Sequence, residues 1–142
     1  MPTSAELEEY LVDTSVAVAL LVSDHPHHAD TFTELSNRRL GLAGHAAFET
    51  FSVLTRLPSP SRRTPAAVER LLVSNFPTTR HLSARAARTL LSRLATAGVA
   101  GGSVYDALVG ATAVEHDLTL VTRDRRALAT YRALDVRVEI LD

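Results

Sequence analysis

Tyr10-Leu11-Val12-Asp13-Thr14-Ser15 near one end of the chain and Leu118-Thr119-Leu120-Val121-Thr122-Arg123-Asp124 near the other decide the fold. Each is a short apolar run that ends at an Asp and leads into a helical pattern, which reads as a strand of a parallel sheet. Ligands of open α/β sheets bind outside the carboxyl ends of such strands. Asp13 and Asp124 are therefore expected to face a common place. Two like charges there repel by roughly 4 kcal/mol at about 4 Å and an effective dielectric near 20. Such a pair persists only with a cation between its members or with one of them protonated. A divalent metal is the first ligand to suspect.

Working outward, hydrophobic periodicity alternates between strand and helix. Ser15–Val22 reads as a compact apolar helix that stops near Pro26, because the residue before a proline disfavours the α region. Pro26 suits the first turn of a second helix running to about Asn37. Leu40–Ala43 is a short strand, and a third helix is expected from about His45 to Arg56. The Pro/Ser stretch Leu57–Ser61 is a turn, too short to link domains. Thr64 caps a fourth helix with Pro65 at its first position, ending near Phe76-Pro77. Arg80-His81-Leu82 reads as a brief strand, and Ser83 caps a fifth helix to Ala97. After the glycine-rich connection 98–102, Ser103 starts a sixth helix to about His116. Strand 118–122, a short helix from about Asp124 to Leu134 and a last strand, Val136–Ile140, complete the chain. This alternation specifies an α/β protein: one domain, residues 1–142, with a central, mainly parallel sheet flanked by helices.

Composition narrows the chemistry. The 142 residues suffice for one sizeable core, and 46% apolar with 22% charged residues is ordinary for a globular chain. Without cysteine, thiol catalysis, disulfides and zinc–thiolate sites are excluded. No stretch approaches the roughly 20 apolar residues of a membrane span. The acidic start, Met1–Glu9, lacks the basic region of a signal peptide, so a cytoplasmic protein is expected. All fifteen basic residues are Arg and the net charge is −1, so no bulk field draws in nucleic acid. The arginine bias fits a GC-rich genome, and a phosphate-binding role has to rest on where particular arginines sit. There is no Walker loop, no GxGxxG and no HExxH, and the six histidines form no paired pattern.

Four acids stand out, each with a plain alternative. Asp13 and Asp124 can cap the helices that follow them. Glu49 shares a helical face with Ala46 and Val53 and so is not on an obvious solvated stripe, although an edge charge would look the same. Asp106 can complete a capping box with Ser103 as the N-cap. Its own face, however, continues through Val109, Gly110 and Ala113, and a carboxylate in a small apolar stripe is either paired or coordinating. Thr14, Ser15 and Thr122 offer hydroxyls beside the strand-end carboxylates, able to orient them or a bound water. An oxygen-rich set of Asp and Glu suits Mg²⁺ or Mn²⁺ better than zinc.

Leu11-Val12-Asp13-Thr14-Ser15, Phe48-Glu49, Tyr105-Asp106-Ala107 and Leu120-Val121-Thr122-Arg123-Asp124, in that order, resemble the PIN-domain ribonucleases. More narrowly they resemble the VapC-type toxins of type II toxin–antitoxin pairs. The resemblance spans nearly the whole chain, and its most specific stretch is Asp106–Ala113 with the strand into Thr122. It implies a three-layer α/β/α fold and an acidic quartet, Asp13, Glu49, Asp106 and Asp124, holding Mg²⁺ or Mn²⁺, with Ser15, Thr14 and Thr122 in support. Asp13 and Asp106 are the expected direct metal ligands. It further implies metal-assisted, in-line hydrolysis of RNA leaving a 3′-hydroxyl and a 5′-phosphate, a homodimer, and an antitoxin lying across the site. Arg62 and Arg63 in the Pro/Ser turn, with Arg123, Arg125 and Arg126 around Asp124, are the candidate RNA contacts; otherwise they are solvated surface charge. Two alternatives stay open: a housekeeping PIN ribonuclease of RNA processing without an antitoxin, and a non-catalytic metal-binding or interaction module on the same fold.

Overall fold

The computed structural model describes residue 3 and residues 7–142. Most of the acidic leading segment read for a signal peptide lies outside the described residues. Four strands, Glu9–Val12 (β1), Arg39–Leu42 (β2), Leu120–Thr122 (β3) and Val138–Ile140 (β4), pair in parallel in the order β2-β1-β3-β4. Leu11 pairs with Leu120 and Val12 with Val121. The two-residue period of a strand sends Leu11 and Leu120 to one face and Val12 and Val121 to the other. All four are fully buried because both faces are covered by helices. A buried side chain of this size contributes about 2 kcal/mol relative to exposure. Truncating Leu120 to Ala would cost about 2–5 kcal/mol, since the helices above it cannot close the gap fully.

One layer contains Thr14–Leu21 (α1), His28–Leu35 (α2) and Pro65–Asn75 (α4), packed on Val12, Leu40, Leu42 and Val121 through Val16, Ala17, Leu35, Leu72 and Phe76. The other contains Ala84–Ala97 (α5), Ser103–Glu115 (α6) and Leu128–Ala133 (α7), packed on Leu11 and Leu120 through Leu90, Leu94, Val109, Ala113 and Tyr131. His45–Thr55 (α3) follows β2 and meets both layers, Ala46 on one side and Ala47 on the other. The architecture is three-layered α/β/α with a wholly parallel sheet. Thr64 and Ser83 cap α4 and α5 as expected, accepting from the Ala67 and Ala86 amides.

Several expected boundaries move, each for a local reason. Pro26 does not open the second helix: the His25 and His28 amides close turns onto Val22 and His25 carbonyls, and the His27 amide donates to the His25 ring, so α2 starts at His28. Arg80-His81-Leu82 is not a strand, only a single bridge from Ala43 to Arg80. Gly41 lets the chain at Thr78 lie against β2; a Cβ there would sit 2.1 Å from the Thr78 carbonyl oxygen. Strand 118–122 shortens to Leu120–Thr122. Val136 is not in the last strand, because its amide closes α7 onto the Tyr131 carbonyl. The helix expected from Asp124 is a 3₁₀ turn, Arg125–Ala127, followed by α7.

The connections place the site. From β1 the chain passes to β2 on one side, while β3 pairs on the other side of β1. Strand order therefore reverses at β1, and the crevice outside the ends of β1 and β3 is where such sheets take ligands. Asp13 and Asp124 stand there. No helix among the described residues is long and apolar enough to cross a membrane.

Candidate active site

Asp13 follows β1 and is only 4% exposed. Its Oδ1 accepts from the Ser15 hydroxyl at 2.5 Å and from the Val16 amide at 3.3 Å. Its Oδ2 accepts from the Tyr131 phenol at 3.0 Å and from the Thr122 hydroxyl. The hydroxyls are themselves oriented: Ser15 accepts from the Arg123 amide at 2.9 Å, and Thr122 accepts from the Asp124 amide at 3.0 Å. Both donors are backbone groups just past β3, so the end of one strand fixes the carboxylate at the end of its neighbour. Burial raises the Asp13 carboxyl above the ordinary carboxylate range, against the pull of its hydroxyl donors. Asp13 also caps α1 through Val16. Capping α1 and standing at the crevice are compatible in one carboxylate.

The other acids surround this buried point at increasing exposure. Asp106, with a side chain 17% exposed, does not complete a capping box. Gly102 is the N-cap and Ser103 the first helical residue of α6, which puts Asp106 one position too far along to reach back. Instead its Oδ2 lies 3.2 Å from Arg126 Nη1. Burial raises its pKa, and Arg126 counters that rise. Asp124, 29% exposed, accepts from the Arg126 amide at 3.0 Å through Oδ1 and pairs with Arg126 Nη2 at 2.9 Å through Oδ2. Glu49, 40% exposed on α3, accepts from Thr14 Oγ1 at 3.2 Å, and His45 Nε2 lies 3.5 Å from its other oxygen. Asp13, Asp106 and Asp124 each raise the phenol pKa of Tyr131, which burial already holds high. Tyr131 is thus a fixed donor beneath the cluster.

A cleft of about 750 Å³ opens beside Glu49 and Asp106, lined also by His45, Phe48, Tyr105 and Arg126. A second, of about 570 Å³, is lined by Thr14, Ser15, His25, Arg123, Asp124 and Arg125. Val53 borders both. Of the candidate RNA contacts, Arg123 is bound to Thr31 Oγ1 and the Asp142 carbonyl, and Arg125 pairs with the Asp142 carboxylate. Arg62 and Arg63 are exposed but line neither cleft. Three site residues escaped the sequence reading. Tyr131 left no local signal. His45 sits one helical turn before Glu49, an i,i+4 spacing that was readable. Arg56 lines the first cleft at the end of α3.

Whether these residues suit a divalent ion turns on donor chemistry. The set consists of four carboxylates with hydroxyls behind them, hard oxygen ligands of the kind Mg²⁺ and Mn²⁺ take. In this arrangement no three acidic or imidazole side chains among the described residues gather closely enough to hold an ion, and a guanidinium spans Asp106 and Asp124. The donors fit in kind, with Arg126 in the way.

The sequence pattern of the PIN domain matches residues 10–133. The chain is 46% identical over 129 residues to ribonuclease VapC27 of Mycobacterium tuberculosis, covering 91% of this chain and 94% of that protein. It is also 46% identical over 133 residues to ribonuclease VapC40 of the same species, covering 91% and 96%. The fold matches VapBC from Salmonella typhimurium with a TM-score of 0.67 at 20% identity, over 94% of this chain and 98% of that one. It matches FitAcB from Neisseria gonorrhoeae with a TM-score of 0.68 at 21% identity, over 91% and 95%. From the acid at the end of β1 to the buried tyrosine of α7, the chain belongs to the PIN domain family.

Proposed function

We propose that this protein is a Mg²⁺- or Mn²⁺-dependent endoribonuclease, the toxin of a toxin–antitoxin pair. The observation that carries the reading is the placement of Asp13, Glu49, Asp106 and Asp124 around the strand-order reversal, with Glu49 and Asp106 lining one open cleft and Asp124 its neighbour. The names of the relatives, ribonucleases VapC27 and VapC40, support an RNA substrate. The fold neighbours VapBC2 from Rickettsia felis and VapBC from Salmonella typhimurium support a protein partner.

When bound, the divalent ion supplies an activated water for in-line attack on a phosphodiester and neutralises charge growing on the phosphate. The residues divide the remaining work. Asp13, held on both oxygens by Ser15, Thr122, Tyr131 and the Val16 amide, is a ligand that does not need to reorganise, and fixed electrostatics of this kind lower barriers most effectively. Asp106, in the first turns of α6, would be the second residue to hold the ion directly. Asp124 and Glu49, more exposed, act directly or through water, with Thr14 holding Glu49 in place. Arg126 lines the first cleft with Arg56, and Arg123 and Arg125 line the second, where they can meet an incoming backbone. Phe48 and Tyr105, large and more than half exposed beside Glu49 and Asp106, are the surface an antitoxin lying across the cleft would cover. The assembly proposed with this reading is a homodimer, as the resemblance implies.

The test is cleavage of RNA by purified protein with Mg²⁺, with Mn²⁺ and with chelator, alongside Asp106→Asn. Cleavage that needs the ion and is lost in the variant is expected. Metal-independent cleavage, or none by the wild type under any ion, would overturn the reading.

A further inference from the structure

We propose that Arg126 is a tethered cation of the acid cluster, neutralising Asp106 and Asp124 while no divalent ion is bound and exchanging places with the ion when one arrives. The proposal rests on the metal reading above and adds a residue to it. One guanidinium reaches both acids, Nη1 at 3.2 Å from Asp106 and Nη2 at 2.9 Å from Asp124. Among the described residues, no other basic side chain lies within ion-pair distance of either carboxylate. The bridge crosses from α6 to the turn after β3, the two elements whose carboxylates an ion would have to draw together. Arg126 therefore meets the same electrostatic need that an ion would meet, in the same place.

It is also built to leave. The Arg126 side chain is 68% exposed, against 17% for Asp106 and 29% for Asp124. Exposed ion pairs hold weakly because water screens them and a long side chain must be immobilised. The turn itself does not depend on the guanidinium, since the Arg126 amide donates separately to Asp124 Oδ1 at 3.0 Å. Release thus frees a side chain without undoing the backbone that presents Asp124. A structural salt bridge would have the opposite design, with both partners buried and the turn held through the side chain.

The experiment is calorimetric titration of Mn²⁺ into the wild type, Arg126→Ala, Arg126→Lys and Arg132→Ala, with melting curves of each protein before and after saturation. Arg132→Ala removes an exposed charge on α7 and controls for net charge. If Arg126 competes with the ion, Arg126→Ala binds Mn²⁺ roughly threefold to tenfold tighter than wild type, the loss of two weak pairs. Arg126→Lys, which keeps the charge but cannot fork to two acids, falls between. Without metal, Arg126→Ala melts below wild type, and saturating Mn²⁺ closes the gap. Equal or weaker Mn²⁺ binding by Arg126→Ala, or the same gain in Arg132→Ala, overturns the exchange while leaving the metal site standing. Absence of Mn²⁺ binding in the wild type and in every variant overturns the metal reading as well.

Discussion

Tyr131→Phe isolates one bond at the base of the site. The ring is 1% exposed and packs against Gly110, where a Cβ would come within 3.1 Å of the Tyr131 Cδ1. Phe keeps that packing and removes only the hydroxyl 3.0 Å from Asp13 Oδ2. A hydrogen bond to a charged group is worth about 1.5–3 kcal/mol. Asp13 keeps its Ser15, Thr122 and Val16 donors, so the carboxylate is not orphaned and the lower end applies, about 1.5 kcal/mol. At about 3 °C per kcal/mol for a chain of this length, the variant should melt about 5 °C lower at neutral pH. The pH dependence has a definite sign. Burial sets the folded pKa of Asp13 above its unfolded value, so its contribution is fully present below the ordinary Asp range and is lost as pH rises through the folded pKa. The Tyr131 donor favours the charged form, and removing it raises the folded pKa further. The variant therefore falls increasingly behind wild type as pH rises and approaches it in acid. Urea denaturation from pH 4 to pH 8, with unchanged slope, measures the difference. A variant as stable as wild type at neutral pH, or a deficit that grows on acidification, would refute the reasoning.

Asp13→Asn should abolish RNA cleavage with the fold retained: its carbonyl can still accept from Ser15 and Val16, and its amide can donate to Thr122 or Tyr131. Activity and circular dichroism measured on one preparation check this. Mg²⁺ or Mn²⁺ at about 100 times its dissociation constant should stabilise the wild type by about 2.7 kcal/mol, and a melting curve indifferent to millimolar ion speaks against a bound metal. Replacing Arg125 and Arg126 together by Ala should flatten the slope of log RNA affinity against log salt by about 1.4, two contacts on a single strand. The Arg62, Arg63 pair, outside both clefts, should change the slope less. Gly41→Ala should cost about 3 kcal/mol or more in chemical denaturation, because the obstacle is the Thr78 backbone, which cannot rotate away.

The fold was legible because the two central strands bury their ends completely, Leu11 and Val12 of β1 and all of β3. An apolar run ending at an acid, repeated at the two ends of the chain, is what a parallel sheet covered on both faces requires, and β1 and β3 were found by it. The quartet was legible in part. Asp13 and Asp124 were ambiguous between cap and site because each accepts a backbone amide and also stands at the crevice, so neither feature excludes the other. Asp106 was ambiguous for a different reason. Helix starts cannot be placed to one residue from sequence, and the capping-box alternative depended on whether Ser103 was the cap or the first turn. Tyr131 was invisible, since its partner lies 118 residues away and only the packing of α7 brings them together. The inward turn of Arg126 was hidden by its neighbours, because in a row of arginines sequence does not say which one folds back.

Exposure rises from Asp13 through Asp106 and Asp124 to Glu49. This ordering follows from what each residue sits on. Asp13 ends a central strand, where backbone donors from β3 and the phenol of α7 converge, so it is fixed before any ligand arrives. Asp106 and Asp124 stand on a helix start and a 3₁₀ turn, elements able to shift by fractions of an ångström without disturbing the sheet. Glu49 lies on the side of α3 that forms the cleft wall, tied only by Thr14 and His45. A cation entering this cluster would meet one immobile ligand and three adjustable ones, and Mg²⁺, which demands near-ideal octahedral geometry, is served by that combination. On the proposed reading, the buried acid would set the position and the more exposed acids would complete the geometry.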